Sequence, residues 1–445
     1  MKKTTALTAV LFSVSVLSCT SLQENTCQQN EKQNPKPQSY RIELEDAINS
    51  LNDFIAQATK NDDAISGKEI ENILIIENPH VGSDSLTKAG AGVDENQYLL
   101  YVANFKDNQG YAVLSADTRL PVDIYAITEY GNVTEDDIYA DDSVGFSPAR
   151  MVYLAASGHI PAVDTTNKDI VIDNGGEIPD NDPMPDHPDG EWVVTRWSSW
   201  QTTESVPEML KTKWHQDKPF NDKVYPYPAG CTTIAVFQIM TYNQFPDPHI
   251  VNGLEMPYAD LRDKVSIAPN DNQYANVVAE FVSNFIESVS HSQGYREGKP
   301  YTLIYPNQAV KYFESVGYSN VKIYRNPTQF DFDKIYHSLK NDYPVLVSAM
   351  ASGFYGHTWV IDGFLKQFRT GSEYGADTGK YYGSVNSQYR TLLHCNWGWG
   401  GLDDGYYYSG VFKTNEGPVS TTSILQGESD DYYDSFYRIV TYEIN

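Results

Sequence analysis

The amino-acid sequence predicts an α+β protein in which a small N-terminal domain precedes a larger one. In the larger part, residues 191–445, helical periodicity comes early and strand-like runs come late, which favours segregated layers over alternating βαβ units. Residues 41–165 contain helix and hairpin signals of their own. Between the two, residues 166–190 are rich in Pro, Gly and Asp and predict an exposed linker that a protease can cut.

Three local patterns define the small domain. Apolar residues recur at helical spacing over residues 44–55. The apolar runs 98–105 and 111–116 flank a polar, glycine-containing turn, which is typical of a hairpin. Ser147-Pro148 supplies an N-cap and a first-turn proline for a second helix, which Gly158 closes. No plausible catalytic cluster is visible in this stretch of sequence.

The larger domain has two amphipathic helices followed by three strands. The helices are predicted around residues 277–286 and 309–313, where apolar positions repeat every three or four residues. The strands are predicted at 344–350, 358–361 and 436–442, which are short β-branched and aromatic runs.

The charge balance excludes one class of partner. The chain of 445 residues has 59 acidic and 32 basic side chains, a formal net charge of −27. Such a surface repels phosphate backbones, so we expect no nucleic-acid partner.

The N-terminus predicts export. A basic start and a short apolar run over residues 4–16 form a signal peptide, residues 1–19, that ends in Ser18-Cys19. This ending resembles a bacterial lipobox, in which Cys19 would be acylated, and plain secretion is the alternative. Residues 20–40 predict a polar spacer. We therefore expect an outer-membrane or cell-surface lipoprotein, or a secreted protein, whose only membrane contact is the lipid.

Cys231 is the candidate nucleophile. The other cysteines are Cys19, Cys27 and Cys395, and their spacing suggests no disulfide framework. Cys231 stands where a Pro- and Gly-containing turn becomes a helix, and a helix N-terminus stabilises a thiolate. The alternative is an inert buried cysteine, which is the interpretation we give to Cys395.

His357 is the candidate base, since it follows Gly356 at the start of a predicted strand and can face a helix tip rigidly. A histidine is more often a core or surface residue, which is how we interpret His215, His337 and His394.

Two further residues could assist acyl chemistry. The Asn396 amide oxygen could orient an imidazole while Trp397 shields it from water, although an aromatic β-turn in the core is an alternative. Gln216 could donate to an oxyanion beside the Cys231 N–H.

The order Gln, Cys, His, Asn is that of papain-like peptidases, and four motifs resemble the streptopain family more closely. They are Trp-His-Gln-Asp-Lys-Pro-Phe-Asn, Gly-Cys-Thr-Thr-Ile-Ala-Val-Phe-Gln-Ile-Met, Gly-His-Thr-Trp-Val-Ile-Asp-Gly and Asn-Trp-Gly-Trp-Gly-Gly followed by Asp-Gly-Tyr. The resemblance covers most of residues 200–445, and the predicted hairpin also resembles the family's prodomain.

This resemblance implies a papain-like two-layer catalytic domain, with a helical and an antiparallel β subdomain, preceded by an inhibitory prodomain over residues 41–165. It implies a dyad of Cys231 and His357, with Gln216 in the oxyanion hole and Asn396 with Trp397 supporting the imidazole. Thr302 and Gly356 match positions that contact substrate. Thr232-Thr233 departs from the usual Val-Ala after the cysteine, and residues 366–390 add a polar excursion.

The resulting hypothesis is a cysteine endopeptidase that is made as a zymogen, acts on protein or peptide substrates and needs no metal or cofactor. Its own prodomain would be an intramolecular inhibitor. The alternatives are a cell-wall amidase or transglutaminase-like enzyme with the same dyad, and a non-catalytic glycan-binding surface lipoprotein.

Overall fold

The computed structural model describes residues 40–58, 65–79, 97–139, 147–159, 193–296, 298–326, 330–350, 356–375, 378–412 and 437–444. The predicted signal peptide with Cys19, all but the last residue of the spacer, and the predicted linker lie outside these residues. Within the described ranges, no helix is both long enough and apolar enough to cross a membrane.

The described residues form eight α-helices and sixteen strands. The helices are α1 (Leu44–Ala58), α2 (Glu135–Tyr139), α3 (Pro148–His159), α4 (Cys231–Asn243), α5 (Tyr258–Leu261), α6 (Ala275–Ser288), α7 (Pro306–Ser315) and α8 (Phe332–Leu339). The strands are β1 (Ile70–Glu77), β2 (Tyr98–Phe105), β3 (Tyr111–Ser115), β4 (Ile124–Thr128), β5 (Val193–Trp197), β6 (Gln201–Val206), β7 (Ile250–Val251), β8 (Leu254–Glu255), β9 (Ser292–Arg296), β10 (Lys299–Leu303), β11 (Ser319–Asn326), β12 (Val345–Met350), β13 (Gly356–Gly375), β14 (Tyr381–Asn396), β15 (Gly405–Tyr408) and β16 (Tyr437–Glu443).

One large antiparallel sheet organises the fold. Its main path runs β1-β2-β3-β4-β15-β14-β13-β12-β16-β11, and β5 and β6 also pair with β13. Helices and strands are largely segregated along the second half of the chain, so the α+β class predicted from the sequence is confirmed.

A helical layer packs on one face of this sheet. The central helix α4 is buried on all sides, since every residue from Thr232 to Thr241 is buried. Phe237 of α4 stacks on Phe281 of α6 with ring centroids 3.8 Å apart. Val360 of β13 joins the same core from the sheet. Because α4 is enclosed by neighbouring helices and the sheet, its first residue is held in a fixed position.

The opposite face of the sheet carries a second core. Alternate side chains of β12 and β13, such as Val347, Trp359 and Ile361, point into it, and residues of α3 and α8 belong to the same core. Adjacent residues of β13 therefore point into different cores. By the same alternation, the side chains of His357 and Thr358 lie on opposite faces of the sheet.

Strands β1–β4 join the main sheet along one seam. The β2–β3 hairpin forms as its sequence predicts, and α1 packs on these strands through Leu51 and Phe54. The last strand of the group, β4, pairs with β15, with Ile127 opposite Tyr406. The sheet is consequently continuous from residues of the predicted prodomain into residues of the predicted catalytic domain.

The polar excursion at residues 366–390 is a long hairpin. It consists of the second half of β13 and the first half of β14, which stay paired from Lys366 with Thr391 to Tyr374 with Tyr381. Strands β5 and β6 add to the free side of β13 along this extension.

Candidate active site

Cys231 is the first residue of α4, and the preceding turn requires glycine. Gly230 has φ +88°, a conformation that side chains other than glycine rarely adopt. An added Cβ there would also lie 3.2 Å from Cγ2 of Thr302. Cys231 is half-buried at the helix tip, where the first backbone N–H groups of a helix have no partner within it.

The surroundings of Cys231 favour its thiolate. Burial alone would raise the pKa of the Cys231 thiol, but hydrogen bonding to His357 and the charge of its ring lower it. The backbone N–H and the hydroxyl of Thr358 act in the same direction, and the resulting pKa is about 7. The thiolate is the nucleophilic form of cysteine, so this sulfur is prepared for attack near neutral pH.

His357 stands at the start of β13 and is 6% exposed. Its Nε2 lies 2.8 Å from the backbone carbonyl oxygen of Trp397. A carbonyl can only accept, so Nε2 carries the hydrogen and the lone pair of the neutral ring is on Nδ1. The tautomer that can accept a thiol proton at Nδ1 is therefore fixed by the backbone.

Three indoles surround the imidazole. The ring of His357 lies 4.6 Å from that of Trp399, 6.1 Å from Trp397 and 6.3 Å from Trp359, measured between centroids. Trp359 and Trp397 are fully buried. Apolar rings on this scale exclude water from the hydrogen bond to Trp397 and hold the imidazole in place.

Asn396 lies beside this hydrogen bond but uses its amide elsewhere. Its Nδ2 donates to the Thr212 carbonyl at 2.8 Å, and its Oδ1 accepts from Gln238 Nε2 at 3.1 Å and from the Gly398 N–H at 3.2 Å. The expected bond from its side-chain oxygen to the imidazole is replaced by the neighbouring Trp397 carbonyl. Asn396 thus supports the ring indirectly, because its buried amide fixes the chain that presents the carbonyl.

The remaining predicted site residues lie around the turn before Cys231. The carbonyl of Gln216 accepts from the N–H of Ala229 at 2.8 Å, which places Gln216 against the approach to the nucleophile. The hydroxyl of Thr302 donates to the Pro228 carbonyl at 2.7 Å. Gly356 is exposed at the first position of β13, next to His357.

Thr232 and Thr358 form a contact that the sequence interpretation missed. Their hydroxyl oxygens lie 3.0 Å apart, and Thr232 also donates to the Ile304 carbonyl at 2.7 Å. Both residues are almost fully buried, each beside a member of the predicted dyad. The available signal was a threonine at the second position of a largely apolar helix and another at the start of the apolar part of β13.

A cluster of buried charges surrounds His394, away from the predicted dyad in sequence. His394 Nδ1 lies 2.6 Å from Asp362 Oδ1, and Nε2 lies 3.0 Å from Glu129 Oε1 and 3.3 Å from Glu208 Oε2. Lys213 forms an ion pair with Glu129. Despite burial, the carboxylates of Asp362 and Glu129 raise the pKa of His394 well above its usual value.

Among the described residues, Glu129, Glu208 and His394 form the one group whose donor atoms could together hold a metal ion, all within 4.8 Å of one another. The ammonium of Lys213 already neutralises Glu129 there, and the charged imidazole of His394 is a donor rather than a ligand. The cluster is accordingly a set of ion pairs. Cys395, the residue after His394, is buried in the core, and this burial raises the pKa of its thiol well above the usual value.

Comparison with known protein families finds a similar family for part of the chain. Residues 214–407 match the model of the Peptidase C10 family, and this stretch includes Cys231, His357 and Trp397. No curated protein matches the chain. The resemblance to the streptopain family is confirmed by this match, and residues 214–407 are similar to that family of cysteine peptidases.

Proposed function

We propose that this chain is an endopeptidase that cleaves protein substrates by acyl transfer through Cys231 and His357. The observation that carries the proposal is the Cys231 thiol at the tip of α4, whose pKa His357 lowers against the effect of burial, together with an imidazole tautomer fixed by the Trp397 carbonyl. Geometry of this kind is the signature of an activated nucleophile.

The proposed reaction has two steps. The proton of Cys231 passes to Nδ1 of His357, and the thiolate attacks the peptide carbonyl carbon. The Cys231 N–H and the Gln216 side chain stabilise the oxyanion. The C–N bond then breaks as the imidazolium protonates the leaving amine, and a thioester remains on Cys231. Water attacks the thioester, His357 takes a proton from that water, and the acid product leaves as the thiolate re-forms. We assign substrate contacts to Thr302 and Gly356, which flank the two catalytic groups.

We further propose that the chain is made as a zymogen with residues 41–165 as the inhibitory prodomain. The seam between β4 and β15 supports this, since it attaches the N-terminal strands to the sheet that carries His357. An added Cβ at Gly131 would collide with Leu402, whose N–H donates to the Trp399 carbonyl at 3.4 Å. The N-terminal residues thus contact the loop that places an indole on His357.

Export and lipid attachment at Cys19 are proposed from the sequence pattern. Metabolic labelling with a fatty acid tests this: label should enter the wild-type chain and be absent from Cys19→Ala. Equal labelling of both proteins would contradict acylation at this residue.

The decisive experiment is a casein-cleavage assay of the full-length chain under reducing conditions, with processing followed on gels. Wild type should cleave casein, and Cys231→Ala should be inactive because the other described thiol, Cys395, is buried and has a pKa raised well above the usual value. Cys395→Ala is the matched control, since it removes a thiol that is buried in the core and whose pKa burial raises well above the usual value, and it should keep its activity.

Two results would overturn the proposal. Casein cleavage by Cys231→Ala at the wild-type rate would exclude Cys231 as the nucleophile. Intact casein together with Cys231-dependent cleavage of muropeptides would instead establish a cell-wall amidase. If Cys231→Ala accumulates as the full-length chain while wild type is shortened, processing is autocatalytic.

A further inference from the structure

Asp404 is a buried carboxyl to which the proposed reaction assigns no role. The residue is 1% exposed, and its Oδ1 accepts a hydrogen bond from the Trp397 N–H at 2.8 Å. Its Oδ2 is buried and has no hydrogen-bond partner within the described ranges. Burial of a carboxyl is costly unless its hydrogen bonds compensate for the lost water. The bond to Trp397 is therefore the contact through which this side chain acts most directly.

The backbone of Trp397 is held on both sides. Its N–H binds Asp404, and the next N–H, that of Gly398, donates to Asn396 Oδ1 at 3.2 Å. Between these two anchors lies the Trp397 carbonyl, which accepts from His357 Nε2 at 2.8 Å. This carbonyl and the Gly398 N–H belong to one planar peptide group, so the carbonyl can turn only if the Trp397 backbone rotates. Asp404 opposes that rotation from the N-terminal side of Trp397.

Asp404 is itself anchored to the sheet. Its carbonyl accepts from the Glu129 N–H at 2.8 Å, which ties it to the end of β4. The next residue, Gly405 of β15, packs so closely on β4 that an added Cβ would collide with the Ile127 carbonyl oxygen. The carboxyl thus extends from a backbone that has little freedom to move, so it can hold the Trp397 N–H in one place.

The hydrogen bond to Trp397 does not depend on the charge of Asp404. Burial, helped by the Glu129 carboxylate, raises the pKa of Asp404 to about 7, against the charges of Lys213 and His394. A carboxyl offers an acceptor oxygen in either ionisation state, although the charged form makes the stronger bond. Loss of the acceptor and loss of the charge are consequently two separate changes, which different substitutions produce.

We infer that Asp404 is a positioning residue for the dyad: its carboxyl fixes the Trp397 backbone, and the Trp397 carbonyl in turn fixes the imidazole of His357. The inference rests on the proposed function, because it takes His357 as the base for Cys231. Asp404 acts through Trp397 and transfers no proton itself. When the acceptor is lost, the Trp397 carbonyl should turn and its hydrogen bond to the charged imidazole should weaken. The thiolate then forms only at higher pH.

The experiment measures thiolate formation by alkylation, which requires no turnover. Full-length wild type and variants are treated with iodoacetamide from about pH 5.5 to about pH 9.5, and modification of the peptide that contains Cys231 is followed by mass spectrometry. In Asp404→Ala the alkylation midpoint should rise by about one pH unit, because a hydrogen bond to the charged imidazole is lost. His357→Ala is the reference variant, and its midpoint should rise at least as far.

Two matched variants separate positioning from charge and from loss of stability. Asp404→Asn removes the charge but keeps an oxygen that accepts from the Trp397 N–H, so it should retain the wild-type midpoint. Asp403→Ala strains the same loop, because residue 403 has φ +62°, and it leaves the Trp397 N–H its acceptor. It should lower the melting temperature without raising the midpoint. Asp404→Leu, which is similar in shape to asparagine and has no acceptor, replaces Asp404→Ala if the latter does not fold.

An unshifted midpoint in a folded Asp404→Ala or Asp404→Leu, beside a raised midpoint in His357→Ala, would overturn the inference and leave the dyad intact. An equal upward shift in Asp404→Asn or in Asp403→Ala would also overturn it, since the effect would then belong to charge or to loop stability. An unshifted midpoint in His357→Ala would refute the dyad and the inference with it. Raised midpoints in Asp404→Ala and His357→Ala, in a protein that cleaves no peptide, would uphold the role of Asp404 and refute only the proposed peptidase reaction.

Discussion

The imidazole of His357 is oriented by the backbone, and this changes what a substitution near it can do. The carbonyl of Trp397 remains when any side chain in the motif is replaced, so the tautomer survives unless the chain itself moves. Asn396 determines whether it moves, because its buried amide links the strand end to Thr212 and Gln238. A role in holding the chain and a role in holding the proton should give different kinetics.

Asn396→Ala should therefore destabilise the protein more than it alters proton transfer. Loss of its buried hydrogen bonds should cost about 1–3 kcal/mol of unfolding free energy. The midpoint of the pH–activity profile on the acidic side should stay at the wild-type value, because Nε2 keeps its carbonyl partner. Chemical denaturation and a pH series of kcat/KM check the two parts, and a displaced midpoint with unchanged stability would show that the amide itself holds the ring.

A second residue-scale prediction concerns the turn at Gly230. Gly230→Ala should destabilise the protein by about 1–2 kcal/mol for the left-handed backbone, and further because the new Cβ meets Thr302. Gly253 has φ +81° with nothing within 4 Å of an added Cβ, so Gly253→Ala measures the backbone cost alone. Peptidase activity should fall in Gly230→Ala, where the shift is transmitted to Cys231, and remain in Gly253→Ala. Equal loss of stability and of activity in both variants would exclude a specific contact with Thr302.

At the scale of elements, local patterns predicted what depends on near neighbours. The helix at α6 follows from Val278, Phe281 and Phe285, which recur on one face, and the β2–β3 hairpin follows from its turn. The β13–β14 extension was interpreted only as an excursion, because its second arm is mostly half-buried or exposed and shows no continuous apolar face. This extension is held by backbone pairing between β13 and β14. Such pairing joins residues that are distant in sequence and leaves no periodic pattern of apolar residues.

The seam between β4 and β15 shows the same limit. Nothing in the short run Ile124–Thr128 indicates which strand it will pair with, since each of its residues is simply buried. The site was more predictable than the seam, because Cys231 and His357 each begin an element and motif order placed them together. The Thr232–Thr358 contact could not be predicted, because it joins residues 126 positions apart in the chain. Threonine hydroxyls are also too common in sequences to indicate a particular contact.

Glu129 makes this seam testable. Its carboxylate, 4% exposed, binds Lys213 and His394 across the junction of β4 with the sheet. Glu129→Gln leaves two buried cations with one charge partner fewer, and breaking a buried ion pair costs about 3–5 kcal/mol. Amide hydrogen exchange in β4 and β15 should accelerate markedly relative to wild type, as measured by mass spectrometry. Glu135→Gln, which neutralises an exposed carboxylate on α2, is the matched control. Equal protection from hydrogen exchange in the two variants would show that Glu129 does not stabilise the seam.

At the scale of the whole molecule, the same cluster sets the direction in which stability changes with pH. Burial raises the pKa of Glu208 to about 8, with the nearby carboxylates of Glu129 and Asp362 adding to it and the charges of His394 and Lys213 opposing it. Burial likewise raises the pKa of Asp404 to about 7. A folded state that binds more protons than the unfolded chain loses stability as pH rises, so both groups favour acidic conditions.

The other titrating groups fix the window of this effect. His394, whose pKa is raised, contributes stability that is complete below its unfolded pKa and is lost as pH rises through the folded value. Although burial opposes it, His394 and Lys213 lower the pKa of Glu129, so its contribution is lost only at pH values below the normal glutamate range. The pKa of the Cys231 thiol is lowered to about 7, so this group stabilises the folded state only as pH rises above that value. Between about pH 5 and about pH 7, stability should therefore fall as pH rises.

Glu208→Gln isolates one of these contributions. The variant lacks the proton that wild-type Glu208 retains on folding, so its melting temperature should decline less steeply between about pH 5 and about pH 7. Glu287→Gln likewise replaces one glutamate by glutamine but at an exposed position of α6, so it should keep the wild-type slope. Thermal melts of the three proteins across this range make the comparison. Because wild type and the Glu287 variant share the buried cluster, a common slope in all three proteins would mean that the overall charge of −27 governs the pH response and the buried carboxyl does not.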